Sequence, residues 1–471
     1  MSRSIVPSAL LLAAASSLSL GAACSAKNNN FFTTATGAGT GNTGGTTATG
    51  SGAGTTGTGG QSSSASGINI TVGSGSGTMS SGSGSTCNHP PDVDGDGDGW
   101  TANEGDCNDC DPNVNPGAVD VLHPVDGGMP TWGDEDCDGK VPDMMQPAPC
   151  DMALAIDDPD PMSAAKAVEL CQTTTASPAN KKDKIWGVIN AKWVLPDGSD
   201  PSMMMIDPNG FPPATMQQAL ANYHLGHGLL SAFGANVHVQ AGARMLGLSS
   251  GTARQPTDPG YQAVSGFNKM YTTGSPAGFP KESPACPGSI TGTPHDGAAV
   301  ELKIRTPTNA TGFSFDFNFF TYEWPNWVCS TYNDFFVSLL NPIPMGQVDG
   351  NISFDKQGNP VSVNNAFVEV CACTNGPPCM AGGKSFTCAL GNSGLMGTGF
   401  GSDGMFGQDH ASTGWLVTKA PVKGGTDITI RWTVYDSGDG VLDTSTLIDN
   451  WQWVANGGTV TVGTDPINMP K

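Results

Sequence analysis

Phe313-Ser-Phe-Asp-Phe-Asn-Phe-Phe-Thr-Tyr322 is the stretch that decides the fold. Side chains of a strand alternate between its faces, so Phe313, Phe315, Phe317 and Phe319 share one face and Ser314, Asp316 and Asn318 the other. Val300-Glu-Leu-Lys-Ile-Arg305 and Ile428-Thr-Ile-Arg-Trp-Thr-Val-Tyr435 repeat that two-residue period. Such segments, aromatic and β-branched and bounded by Gly, Pro and Asn, predict antiparallel sheet with one face buried. Ile185-Trp-Gly-Val-Ile-Asn-Ala-Lys-Trp-Val-Leu195 adds a strand, and Pro161 to Cys171 a short helix behind Asp160. Many strands and few helices predict a mainly β chain, with a β-sandwich or jelly-roll-like domain over 150–471. That span is large for one sandwich, so long loops are expected.

Upstream, composition divides the chain. Arg3, an apolar run from Ile5 to Leu20 and the step Leu20-Gly-Ala-Ala-Cys24 follow one another in the order of a secretory signal with a lipobox-like end. This predicts a signal over 1–24 and an exported protein acylated at Cys24, an ordinary signal-peptidase site being the alternative. Residues 25–86 are almost all Gly, Ser, Thr, Ala and Asn, with Lys27 the one charge. They bury too little apolar surface to offset their ordering entropy and predict a disordered linker about 45 Å end to end. Thirteen cysteines is an odd number for an exported chain; setting Cys24 aside leaves 12, enough for six disulfides. Cys371 and Cys373 stand too close to pair with each other. No second apolar stretch is long enough to cross a bilayer, so the expected membrane contact is the N-terminal lipid, at the outer membrane or cell surface of a Gram-negative bacterium.

The net charge of −22 is concentrated: residues 87–143 carry 13 Asp and 2 Glu against one Lys. No basic patch exists to meet phosphates, which excludes nucleic acid as a partner. Asp92-Val-Asp94-Gly-Asp96-Gly-Asp98-Gly99 alternates carboxylates with glycines, which permit the positive φ of a tight loop aiming several oxygens at one point. Hard cations take six to eight oxygen ligands, so Ca²⁺ is the expected guest. Its expected ligands are Asp92, Asp94, Asp96, Asp98, Glu104, Asp106, Asp109, Asp111, Asp136 and Asp138. The twelfth position counted from Asp94 is Gly105 rather than Glu, so the loop is not an EF-hand. Asp436, Asp439 and Asp443, with Asp449, make a second possible Ca²⁺ group; Glu323, Asn333 and Asp334 stand as turn caps or members of a site. Copper is the alternative ion, through His89, His123, Met129 and Trp132, but these softer donors are scattered and carboxylates suit Ca²⁺ better.

Two resemblances follow. Asp96-Gly-Asp-Gly-Trp-Thr101, Glu104-Gly-Asp-Cys-Asn-Asp109, Asn115-Pro-Gly-Ala118 and Asp134-Glu-Asp-Cys-Asp-Gly139 together resemble the MopE-type metal-binding-motif family, over about Pro91 to Asp143. That resemblance implies acidic calcium-like loops and an association with copper. Leu248-Ser-Ser-Gly-Thr-Ala-Arg254, Tyr332-Asn-Asp-Phe-Phe-Val-Ser-Leu-Leu340, Gly414-Trp-Leu-Val-Thr418 and Tyr435-Asp-Ser-Gly-Asp-Gly440, together with the phenylalanine stretch, resemble the choice-of-anchor L domain of bacterial surface proteins, over about Ala153 to Val460. This resemblance implies a β-sandwich displayed at the cell surface and no known enzymatic activity.

Catalytic signals are weak. Gly247-Leu-Ser-Ser-Gly251 has the form of a hydrolase nucleophile elbow, but among 65 glycines about one chance match is expected. His224-Leu-Gly-His227 lacks the glutamate of a zinc protease, and His295-Asp296 is suggestive only by adjacency. The reading is a non-enzymatic, lipid-anchored surface protein that binds Ca²⁺ and acts in adhesion or recognition of a polysaccharide or protein. Copper capture is the alternative, and a secreted hydrolase ranks third.

Overall fold

The computed structural model describes residues 89–125, 128–141, 149–209, 214–289, 292–365, 367–373, 378–402 and 409–467. The signal segment with Cys24, the linker 25–86 and Cys87 lie outside the described residues. The two-residue periods become strands: β1 (Gly187–Val194), β2 (His227–Leu230), β3 (Met245–Ser249), β4 (Pro294–Arg305), β5 (Ala310–Thr321), β6 (Phe335–Asn341), β7 (Ala411–Pro421), β8 (Asp427–Ser437) and β9 (Thr444–Ala455). Among the described residues they build two seven-stranded antiparallel sheets. One runs β6-β8-β4, with β1 and Tyr271–Thr272 sharing the far edge of β4. The other runs β7-β5-β9-β3-β2.

The phenylalanine face of β5 is the seam between the sheets. Phe313, Phe315, Phe317 and Phe319 are wholly buried. Phe315 meets Trp432 of the opposite sheet edge-on at 5.3 Å, and Phe317 meets Phe336 at 4.8 Å. Phe313 stacks on Trp451 of neighbouring β9 at 4.2 Å. Burial of each such ring is worth about 1.5–3 kcal/mol. The opposite face of the same sheet is covered too. Phe320 and Tyr322 pack with Phe233, Leu395 and Phe400 from long connecting segments.

Helices are short and capped. α1 (Pro161–Lys166) starts where the Asp160 side chain accepts the Met162 amide at 3.0 Å, with Pro161 in its first turn, and it buries Ala164 and Ala165 in the core. α2 (Met216–Tyr223), unmarked in the sequence reading, opens on a Thr215–Gln218 capping box.

The acidic segment is not a separate lobe. Val119 and Val121 belong to the main core. Asn309 clamps Val119 on both sides, its Oδ1 accepting the Val119 amide at 3.0 Å and its Nδ2 donating to the Val119 carbonyl at 2.9 Å. Thr308 donates to Asn115 Oδ1 at 2.7 Å. A boundary in charge is therefore not a boundary in packing. Disulfides join Cys107–Cys137, Cys150–Cys171, Cys286–Cys329, Cys371–Cys388 and Cys373–Cys379, and Cys110 is disulfide-bonded as well. Cys371 and Cys373 each reach elsewhere, as their spacing requires.

Phe315→Ala should cost about 3–5 kcal/mol in urea unfolding, because both sheets close on that ring. Asp316 gives a second test. Burial pushes its carboxyl up to about 7, although Asn450 Nδ2 donates to it at 2.8 Å. A carboxyl raised in the fold contributes stability that is complete below its unfolded value of 3.8 and is lost as pH rises through 7. Asp316→Asn should therefore stabilise the protein at pH 8 and leave it unchanged below pH 4; equal effects at both would refute the assignment.

Candidate metal centre

The acidic loop folds by spending its carboxylates on its own backbone. Asp94 accepts the amides of Gly97 (2.7 Å) and Gly99 (2.9 Å), and Asp98 accepts that of Trp100 (2.6 Å). Asp109 takes the Gly95 amide at 2.8 Å and Asp106 the Asn108 amide at 2.8 Å. Gly97 and Gly99 sit at φ 83° and 96°, a region side chains avoid, so the alternating glycines let the chain turn this tightly. Cys107–Cys137 then ties the loop to the Asp134–Asp138 segment.

The result is a pool of oxygen. Asp94, Asp96 and Asp109 bring carboxylate oxygens within 4.8 Å of one another, as do Asp96, Asp98 and Asp106, so the groups meet at Asp96. Asp120, Asp134 and Asp136 form a third such group. Asp96 Oδ2, Asp106 Oδ2 and Asp134 Oδ1 are buried with no hydrogen-bond partner, and Asp106 as a residue is only 5% exposed. Burial, reinforced by neighbouring carboxylates, raises Asp96 and Asp106 above the ordinary range, Asp98 to about 6 and Asp120 to about 7. An all-carboxylate donor set with unclaimed buried oxygens fits a hard divalent cation.

Not every expected ligand joins. Asp92 is exposed and outside these groups. Glu104 is drawn to Lys181 Nζ at 2.7 Å, Asp138 to Lys140 at 2.8 Å, and Asp111 caps its own turn through Asn113. Asp120 and Asp134 were passed over in the sequence. Asp134 stood beside the named Asp136, but nothing local pointed to Asp120, which accepts the Glu135 amide across the loop at 2.9 Å.

The softer donors do not converge. His123 is paired with Glu135, Met129 is 74% exposed, Trp132 packs on the main core, and the His89 ring lies against Gly95. Three cysteine sulfurs do cluster, Cys371, Cys379 and Cys388, but all are oxidised in disulfides.

The other sequence signals resolve into structure. Ser249 is wholly buried, and its hydroxyl donates to the Thr444 carbonyl at 3.1 Å. His227 stacks flat on Trp193 at 3.8 Å and burial lowers its pKa to about 3, while His224 and His238 are exposed, so these three do not gather as a zinc set. His295 lies 3.3 Å from Asp207. In the C-terminal group Asp436 and Asp443 are buried, whereas Asp439 is half-buried and lies toward His295 and Asp207. Asp449 accepts the Gln240 amide. No family model matches this chain, and no curated protein is similar enough to match it.

Asp106→Asn should weaken Ca²⁺ binding by about tenfold or more in calorimetry on the folded chain, since it removes charge from an oxygen no donor claims. Glu104→Gln, which weakens a solvent-screened pair with Lys181 and keeps an acceptor for the Thr101 hydroxyl, should leave affinity within about threefold.

Proposed function

We propose that this protein is exported, anchored in the outer membrane by a lipid on Cys24, and displays a Ca²⁺-stabilised β-sandwich for adhesion or surface recognition. The observation that carries the reading is the joined carboxylate pool around Asp96, with unclaimed oxygens on Asp96 and Asp106. A cation there cancels the mutual repulsion of five aspartates and fixes the loop against the sandwich, to which Asn115 and Asn309 already tie it. Ligands made only of oxygen favour Ca²⁺ over copper. Burial of Ser249 away from any hydrogen-bonded histidine weighs against a hydrolase.

Recognition needs a surface, and the reading assigns it to the turn after β6. Ile343, Met345 and Val348, within six residues of one another, are 50%, 99% and 92% exposed. The ligand class that fits such a loop is a protein or polysaccharide with an apolar face.

Chelation should lower the thermal midpoint and open residues 94–138 to protease, and Ca²⁺ but not Cu²⁺ should restore both. At a Ca²⁺ concentration about a thousand times the dissociation constant the stabilisation is about 4 kcal/mol. Restoration by copper in excess Ca²⁺ would replace this reading with metal capture. Cys24→Ser should move the protein from the membrane to the soluble fraction. Replacing Met345 and Val348 by Ser should reduce cell attachment without moving the thermal midpoint.

A further inference from the structure

A second group of acids lies in the sandwich itself, where the end of β8, the start of β9 and the turn before β6 meet. Asp296, Glu323, Asp334, Asp436 and Asp443 are each 3% exposed or less, against one buried lysine, Lys269. Five buried carboxylates and one ammonium cannot all stay charged at tolerable cost unless something else balances them.

Three of the five are already satisfied. Asp296 accepts the Lys269 and Tyr271 amides at 2.6 and 3.1 Å. Asp334 accepts the Ser437 amide at 3.2 Å and the Thr444 hydroxyl at 2.6 Å, and Glu323 accepts the Asp334 amide at 3.3 Å. Lys269 is spent on the Ser249 carbonyl at 2.9 Å. Asp436 and Asp443 are different: all four of their oxygens are buried and none has a hydrogen-bond partner of ordinary geometry. Asn333, wholly buried, likewise leaves both polar side-chain atoms unpartnered. The chain makes room for this arrangement at Gly251, where a Cβ would lie 1.8 Å from Asp443 Oδ2.

We propose that Asp436, Asp443 and the Asn333 side-chain carbonyl form a second Ca²⁺ site, buried in the sandwich and independent of the acidic loop. Its two carboxylates match one divalent charge. Ser250 and Asp334 approach Asp436, and a proton shared between Asp334 and Asp436 is the rival solution, which leaves no ion to be retained. Mg²⁺ holds its waters tightly, so a fully buried oxygen cage suits Ca²⁺. Asp439, half-exposed toward His295, is not a ligand.

The test is the metal content of the purified full chain after exhaustive EGTA treatment, read by elemental mass spectrometry. Wild type and Asp106→Asn should each retain about one equivalent of Ca²⁺, the slowly exchanging buried ion. The isosteric Asp443→Asn should retain almost none. Should Asp443→Asn not fold, long-wavelength anomalous diffraction from EGTA-treated wild-type crystals decides, with a peak about 2.3–2.6 Å from the Asp436 and Asp443 oxygens expected. Retention unchanged by Asp443→Asn, or no ion retained and no peak in the wild type, overturns the site. Neither result bears on the acidic loop, whose ion EGTA removes in every arm.

Discussion

The register of β5 between β7 and β9 is the constraint on which the rest of the structure depends. Phe313, Phe315, Phe317 and Phe319 fall on one face because the strand pairs Phe317 with Leu416 on one side and Ile448 on the other. A slip of one residue would present Ser314, Asp316 and Asn318 to Trp432 and Phe336 instead. The price of the correct register is Asp316, held buried on the second face beside Asn450. The sheet then needs cover on that side as well. Loops carrying Phe233 and Phe400 provide it, and this is why the domain is so much larger than a bare sandwich.

Much of the architecture was legible because strand periodicity is a local signal. The strand runs read at 300–305, 313–319 and 428–435 lie inside β4, β5 and β8, and the helix read over 161–171 begins behind its Asp160 cap but ends at Lys166. The extra strand read at 185–195 is β1. What was not legible was relational. Composition marks 87–143 as distinct, yet Val119 and Val121 alternate into the common core, a fact that depends on Asn309 nearly two hundred residues away. The site shows the same division. Alternating Asp and Gly revealed Asp94, Asp96 and Asp98, because those residues turn on themselves. Asp120 comes to Asp134 and Asp136 only through cross-loop pairing. Glu104 and Asp138 looked like ligands until lysines claimed them, and a lysine's reach cannot be read from spacing.

The fold handles its surplus of acid in two ways. Where amides are available, carboxylates cap turns, as Asp111 and Asp160 do. Where amides run out, oxygens are pooled, in the loop around Asp96 and in the interior at Asp436 and Asp443. The distinction is one of donor supply rather than of sequence: both kinds of aspartate sit beside glycine or in turns, and the neighbouring backbone alone decides which is which.

The Cys286–Cys329 bond has a mechanical consequence. The covalent loop it closes contains both β4 and β5, the strands at the middle of the two sheets. Tension applied along the chain passes through the sulfur bridge and bypasses everything between residues 286 and 329. Cys107–Cys137 does the same for Asp120, Asp134 and Asp136. A stretched molecule would thus yield at its rim, peeling β2 or the short strand Gly463–Pro466, while its central strands and one carboxylate group feel no pull along their own backbone. Reduction of those bridges would convert a molecule that unravels partially under force into one that can be drawn out completely.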